Sequence, residues 1–267
     1  MNYKDPMNYQ DILYSQKDDA VTITLNRPEV MNAFRARTCD EVIHALHRAG
    51  WDRSVAVIVI TGAGERAFCT GGDQSVHGDD GYDGRGTIGL PVEEMQSLIR
   101  DVPKPVIAKV RGYAIGGGNV LAAVCDLTVA SETAVFGQVG PKMGSVDPGW
   151  GTAYLARVVG EKKAREMWFL CRRYSAMDAK DMGLVNEVVA DDELDRVVDE
   201  WCAEISANSP TALSIAKKSL NIDSESIRAI GGLGFEALRL YYGTEESKEG
   251  GRARAEKRPP DFRKYVE

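Results

Sequence analysis

The chain lacks long apolar runs. The longest, such as residues 55–60 and 120–124, stop far short of the roughly 18 residues a membrane span needs, so no part is expected to enter a bilayer. Cysteine is sparse: Cys39, Cys69, Cys125, Cys171 and Cys202 form an odd set without Cys-x-x-Cys spacing, which excludes a disulfide scaffold. Positive charge is short as well. Lys and Arg number 33 against 40 Asp and Glu, a formal net charge of −7, and the electrostatic footprint of a nucleic-acid binder is missing. Residues 1–15 carry neither a basic nor an apolar leader pattern, and a reduced, cytoplasmic protein is expected. Gly62-Ala63-Gly64 is not followed by the third glycine of a dinucleotide fingerprint. No P-loop and no Gly-x-Ser-x-Gly nucleophile elbow occurs.

What the chain does have is glycine, 27 residues against 10 prolines. At 267 residues it can bury roughly 75% of its unfolded surface, enough for one packed domain without a staple. Val21, Ile23 and Leu25 alternate with Thr22, Thr24 and Asn26 as in a half-buried strand, closing at the turn Asn26-Arg27-Pro28. Thr38 and Glu41 read as an N-cap and capping box for a helix that Gly50 ends. Residues 55–60 read as a strand buried on both faces, 93–99 as a helix, and 106–110, 127–130 and 134–136 as strands. From about Gly149 the pattern is helical: 153–158, 162–170, 176–182, 194–205, 211–220 and 227–242, with Ser209-Pro210 as N-cap and first-turn proline. An α/β core over 1–200 is expected, with a helical region over 201–267 of the same domain that joins subunits and covers the active site. Residues 75–89, with five glycines, read as a mobile segment.

The glycines cluster at 62 and 64, at 71–72, at 116–118, and at 137, 140, 144, 149 and 151. A loop entering a helix leaves backbone N–H groups unpaired, and a missing Cβ lets a ligand oxygen approach them. Gly116-Gly117-Gly118, between Tyr113-Ala114-Ile115 and the apolar run at 120, fits that description. Gly71-Gly72, after Ala67-Phe68-Cys69 and before Asp73, offers a second N–H. Two such donors on one carbonyl oxygen stabilise developing negative charge by roughly 3 to 4 kcal/mol each.

Ala67-Phe68-Cys69-Thr70-Gly71-Gly72-Asp73-Gln74, then Gly112-Tyr113-Ala114-Ile115-Gly116-Gly117-Gly118, then Phe136-Gly137-Gln138, resemble the crotonase (enoyl-CoA hydratase/isomerase) superfamily in order and spacing. The similarity runs from Asn26-Arg27-Pro28 to Pro260-Asp261-Phe262. It implies a crotonase-like α/β fold of repeated ββα turns, a superhelix core with a C-terminal helical trimerisation region, assembled as a homotrimer or homohexamer. It also implies an acyl-CoA thioester substrate, with CoA as part of that substrate and no tightly bound cofactor. By the family pattern the thioester oxygen lies between the N–H groups of Gly72 and Gly117, and Thr70, Gly71, Asp73, Gln74, Tyr113, Gly116 and Val139 line the substrate and CoA.

The family's hydratases carry two glutamates at positions that read here as Val120 and Gly140. Water addition to an enoyl double bond then lacks its acid/base pair. The segment 137–151 is instead similar to the branch of the 1,4-dihydroxy-2-naphthoyl-CoA synthases, and more so to the 2-ketocyclohexanecarboxyl-CoA hydrolases, which open a β-keto thioester ring. That resemblance implies Asp147 as acid/base carboxylate, Ser145 as its positioning partner, and Tyr242 as a phenol reaching the substrate carbonyl, across a subunit boundary or within the chain. It further implies Tyr82 on a lid and Lys257 opposite the CoA phosphates. Gln138, Gly140 and Trp168 match a pocket that holds bicarbonate in some synthases; hydrolytic water is the other occupant. Asp147 sits in Asp-Pro-Gly, which is also a turn signal in its own right.

Where the synthases carry basic residues this chain has Ser75 and His77, and Met31 stands where they have arginine. Asp79 and Asp80 add negative charge. These losses fit an alicyclic substrate without a free carboxylate. A ring-closing synthase and a non-catalytic acyl-CoA-binding protein are the other readings. His44 and His47 have His-x-x-His spacing but no third ligand, and read as surface histidines rather than a metal site. Cys69 has no paired base that would make it a nucleophile.

Overall fold

The computed structural model describes residues 8–78 and 81–266; Asp79 and Asp80 of the expected mobile segment lie outside them. Among the described residues, strands β1 (Ile12–Lys17), β2 (Ala20–Leu25), β3 (Val57–Gly62), β4 (Ala67–Cys69), β5 (His77–Gly78), β6 (Gly81–Tyr82), β7 (Val106–Val110), β8 (Tyr113–Ile115), β9 (Leu127–Ser131), β10 (Val135–Gly137), β11 (Arg173–Ser175) and β12 (Glu187–Val189) form three sheets. The largest runs β1-β2-β3-β7-β9-β12, antiparallel only at β1/β2. A second runs β11-β10-β8-β4, and β5 pairs with β6 alone. The chain steps from the large sheet to the small one three times, β3 to β4, β7 to β8 and β9 to β10, which is the repeated turn expected from the resemblance.

Helices follow those steps. They are α1 (Ala36–Trp51), α2 (Val92–Asp101), α3 (Gly117–Val124), the single turn α4 (Gly140–Met143), α5 (Ala153–Val159), α6 (Glu161–Leu170), α7 (Ala176–Asp181), α8 (Leu194–Ser206), α9 (Pro210–Ile222), α10 (Ser226–Tyr242) and α11 (Glu245–Ala255). Strand β3 alternates as a doubly covered strand should: Ile58 and Ile60 enter the main core, while Val57 and Val59 join Ile107, Val129, Leu194, Val198 and Cys202 under α8.

Several expectations need correction. Arg35, not Thr38, is the N-cap of α1; Thr38 sits in the first turn and accepts the Arg35 N–H at 3.2 Å. The Glu41 carboxylate does not cap the helix. It accepts the N–H groups of Gln10, Asp11 and Ile12, tying down the segment before β1. Gly50 does not end α1 either: a Cβ there would lie 2.8 Å from Val102 Cγ1, so the glycine serves packing. His44 is buried, 6% exposed, and hydrogen-bonded to the Tyr9 hydroxyl at 2.8 Å rather than lying at the surface. The second half holds β11 and β12 among its helices, and α11 lies beyond the last helix expected. Ser209 does cap α9, accepting the Ala212 N–H at 3.3 Å. Among the described residues no helix is long and apolar enough to cross a membrane.

Candidate active site

The site is assembled where β4 and β8 end. Gly71 takes a left-handed φ of 84°, and its carbonyl accepts the Phe34 N–H at 2.8 Å while the Asp73 N–H donates to the Phe34 carbonyl at 2.9 Å. That parallel bridge turns the Gly72 N–H away from residue 34. Gly116, with φ 59° and ψ −124°, lets the chain pivot into α3, so that Gly117 is the first helical residue and its N–H lacks an intrahelical acceptor. The two loops touch: a Cβ on Gly71 would stand 2.8 Å from the Gly117 nitrogen, and one on Gly117 only 2.6 Å from Phe34 Cζ. Among the described residues neither the Gly72 nor the Gly117 N–H has a hydrogen-bond partner.

A buried ion cluster braces this arrangement. Arg27 pairs with Asp73 at 2.8 Å and lies 3.8 Å from Asp11, while its guanidinium also donates to the Ala33 carbonyl. Asp73, held below the usual carboxylate range by bonds from Ser75 and Arg27 despite its burial, therefore faces inward and sets the loop rather than meeting solvent. Thr70 bonds the Met31 carbonyl, and Gln74 donates to the Gly72 carbonyl and the Tyr82 hydroxyl.

Tyr82 lies over the glycines. A Cβ on Gly72 would be 2.0 Å from its hydroxyl oxygen. His77 stands edge-on to both Tyr82 and Tyr242, with ring centroids 4.7 Å apart in each pair, and burial lowers its pKa, so it lies neutral where the resemblance puts a cation. Tyr242, at the end of α10 and 3% exposed, meets Ser145 Oγ at 2.7 Å within its own chain, so no subunit boundary is needed to bring it there. Burial pushes its phenol up to about 12, and it stays a neutral donor.

Asp147 completes the group. Its Oδ2 accepts Gln96 Nε2 at 2.8 Å, and its Oδ1 is buried without a hydrogen-bond partner. Burial raises the carboxyl from 3.8 to about 7, opposed by the Gln96 hydrogen bond and by the nearby Gly151 backbone N–H, with Glu93 adding to the rise. A Cβ on Gly151 would lie 2.8 Å from Asp147 Cβ and 2.9 Å from Val120 Cγ2, so Asp147 stands next to position 120. At position 140 there is no room for one: a Cβ would meet the Ser145 carbonyl at 2.5 Å and Trp168 Cζ3 at 2.9 Å. Trp168 is fixed there by its Nε1–H on the Gly151 carbonyl at 2.6 Å. Gln138, 1% exposed, leaves both side-chain polar atoms without protein partners.

Val139 packs its Cγ2 against the face of Gly116, and Tyr113 lies at the start of β8 under the Arg173 guanidinium, 5.4 Å from its ring centroid. Lys257 follows α11, exposed, and among the described residues forms no hydrogen bond or ion pair with those of the site. Cys69 is buried with its thiol pushed up to about 12, an inert group. Sequence reasoning missed Gln96 and the Arg27 brace. The signal for Gln96 was present, since it shares the buried stripe of α2 with Val92, Met95 and Ile99, where a polar residue needs a partner.

The arrangement joins two unpaired N–H groups to a buried carboxyl and a hydroxyl pair, the equipment for polarising a carbonyl and moving a proton nearby. Known proteins resemble the chain over most of its length. Residues 16–265 match the family model described as enoyl-CoA hydratase/isomerase. An enoyl-CoA hydratase from Mycobacterium avium subsp. paratuberculosis K-10 is similar at 28% identity and TM-score 0.85, over 95% of this chain and 98% of that one. An enoyl-CoA hydratase/isomerase from Xanthobacter autotrophicus Py2 shares 30% identity at TM-score 0.79, covering 93% and 94%. A protein from Geobacillus kaustophilus HTA426 titled enoyl-CoA hydratase subunit I shares 31% identity at TM-score 0.73, covering 96% and 99%. With this fold, this pair of glycine loops and a family match over nearly its whole length, the chain belongs to the enoyl-CoA hydratase/isomerase family, the crotonases, whose enzymes process acyl-CoA thioesters.

Proposed function

We propose that the protein opens the ring of a cyclic β-keto acyl-CoA by hydrolysis, as in conversion of 2-ketocyclohexane-1-carboxyl-CoA to pimeloyl-CoA. The observation that carries this reading is Asp147: a buried carboxyl near neutrality, one oxygen unpartnered, beside Ser145 and Tyr242, in a site with no carboxylate at 120 or 140. Asp147 takes a proton from water as the water oxygen adds to the ring ketone, whose developing oxyanion receives hydrogen bonds from Tyr242 and Ser145. The bond between the former ketone carbon and the carbon next to the thioester then breaks. Its electron pair goes to the thioester enolate, held by the Gly72 and Gly117 N–H groups. Asp147 returns its proton to that carbon, leaving a carboxylic acid at one end of the opened chain and the CoA thioester at the other.

The neutral His77 supports ring opening over ring closure, because a substrate with a free carboxylate would find no cation there. The Gln138 amide supplies the hydrolytic water with partners; it would serve a bicarbonate equally, but a neutral water needs no compensating charge. No resident cofactor is invoked. Exposed Ile215, Leu220, Leu233 and Leu240 on α9 and α10 support assembly into a homotrimer or homohexamer, which sedimentation of the purified protein tests. The decisive assay incubates the protein with 2-ketocyclohexane-1-carboxyl-CoA and follows product mass. Gain of one water supports the reading. Unchanged thioester together with ring closure of succinylbenzoyl-CoA replaces it with the synthase, and CoA binding without turnover of either replaces it with a non-catalytic binder.

A further inference from the structure

Gln96 is fully buried on α2, donates Nε2–H to Asp147 Oδ2 at 2.8 Å, and leaves its own Oε1 without a partner. An amide buried with one end unsatisfied costs stability, and an apolar residue of similar shape would avoid that cost. Among the described residues the only hydrogen bond its side chain makes is the one to Asp147. We propose that Gln96 is the positioning residue for Asp147, its N–H pinning Oδ2 so that Oδ1 alone exchanges the proton with water and substrate. This rests on the reading of Asp147 as the acid/base group.

The surroundings leave that assignment to Gln96. Val120 of α3 offers only a side chain of carbon, the turn at 149–151 offers the Gly151 N–H, and α10 offers the neutral Tyr242 phenol. Glu93 is the acidic neighbour, one turn before Gln96 on α2, and its carboxyl is itself raised by burial. The Arg100 and Arg228 guanidinium groups lie over the Trp150 ring, at 4.7 and 5.9 Å from its centroid, rather than pairing with Asp147. Gln96 is therefore the one side chain that distinguishes the two carboxylate oxygens. Without it the carboxyl keeps only the Gly151 backbone N–H nearby, and its charged form loses its side-chain donor.

Gln96→Met removes the donor and keeps length, and Gln96→Asn keeps an amide but withdraws its N–H from Asp147 by one methylene, so either breaks the contact if the other fails to fold. The carboxyl resonance of Asp147, assigned by its loss in Asp147→Asn, is titrated by carbon NMR alongside the pH profile of kcat/KM. The expected result is an alkaline shift of Asp147, and of the acidic limb of the profile, by about one pH unit. At pH 7 kcat falls by roughly tenfold with KM changed less than twofold, since Gln96 does not touch substrate. A lowered melting temperature with both midpoints unmoved overturns the proposal and leaves Gln96 a packing residue. An NMR shift in an enzyme that turns over no β-keto thioester upholds the pinning by Gln96 while removing the ring-opening reading.

Discussion

Ser145 Oγ and the Tyr242 phenol lie 2.7 Å apart although 97 positions separate them in the chain. One comes from the core beside Asp147 and the other from the end of α10, so the helical region contributes a side chain to the candidate site. Tyr242→Phe is expected to cut kcat by roughly 10- to 100-fold through loss of a donor to the developing oxyanion. The same change costs about 1 kcal/mol of stability for the lost bond to Ser145, measured by denaturant unfolding. Activity within twofold of the parent would remove the phenol from the chemistry.

Asp147→Asn is expected to separate activity from stability. Rate should fall by roughly 10²- to 10⁴-fold, the usual worth of a positioned acid/base group. The stability effect has the opposite sign. Below about pH 3.8 folded and unfolded chains both hold the proton; between there and about 7 the unfolded chain releases it while the folded chain keeps it, so stability falls as pH rises through that window. By pH 8 the buried charge costs the parent roughly 2 to 4 kcal/mol, a range that allows for its remaining exposure. The asparagine variant should melt above the parent at pH 8 and level with it at pH 4.

The glycine loops distinguish chemistry from folding. In Gly72→Ala the new Cβ meets the tip of Tyr82, a side chain that can swing, so the variant should fold and lose binding of thioester, seen as a raised KM. Gly118→Ala instead drives its Cβ to 2.0 Å from the Cys69 carbonyl, which is backbone in β4. A loss of roughly 3 kcal/mol or more is expected there, and its thermal melt should show it before any assay does.

Bicarbonate dependence decides what Gln138 holds. The rate in carbonate-free buffer should equal that with bicarbonate added, and Gln138→Leu should slow turnover in both. Stimulation by bicarbonate in the parent, abolished in Gln138→Leu, would reassign the pocket to the anion.

Much of this was legible in the residues. The strand 106–110 and the six helices after residue 149 stand close to where their periodicity put them, because apolar spacing and the Ser209-Pro210 cap are local signals. The glycine loops were legible because only a missing side chain permits their approach. What escaped is non-local. Thr38 and Glu41 look like a capping box, yet each is engaged by the segment before β1, which spacing within α1 does not reveal. β11 and β12 are three residues each, too short for alternation to register. Arg27 over Asp73 and Gln96 on Asp147 join residues 46 and 51 positions apart, a separation at which a sequence carries composition but no geometry.

The crowding at Gly140 also limits what substitution can make of this site. A glutamate introduced at 140 meets Trp168 and the Ser145 carbonyl at its first carbon, and one introduced at 120 starts close to Asp147. Neither step on its own installs a hydratase's pair of carboxylates. Room at 140 requires both Trp168 and the Ser145 backbone to move, so the carboxylate pair of a hydratase cannot be grafted onto this loop by side-chain replacement alone.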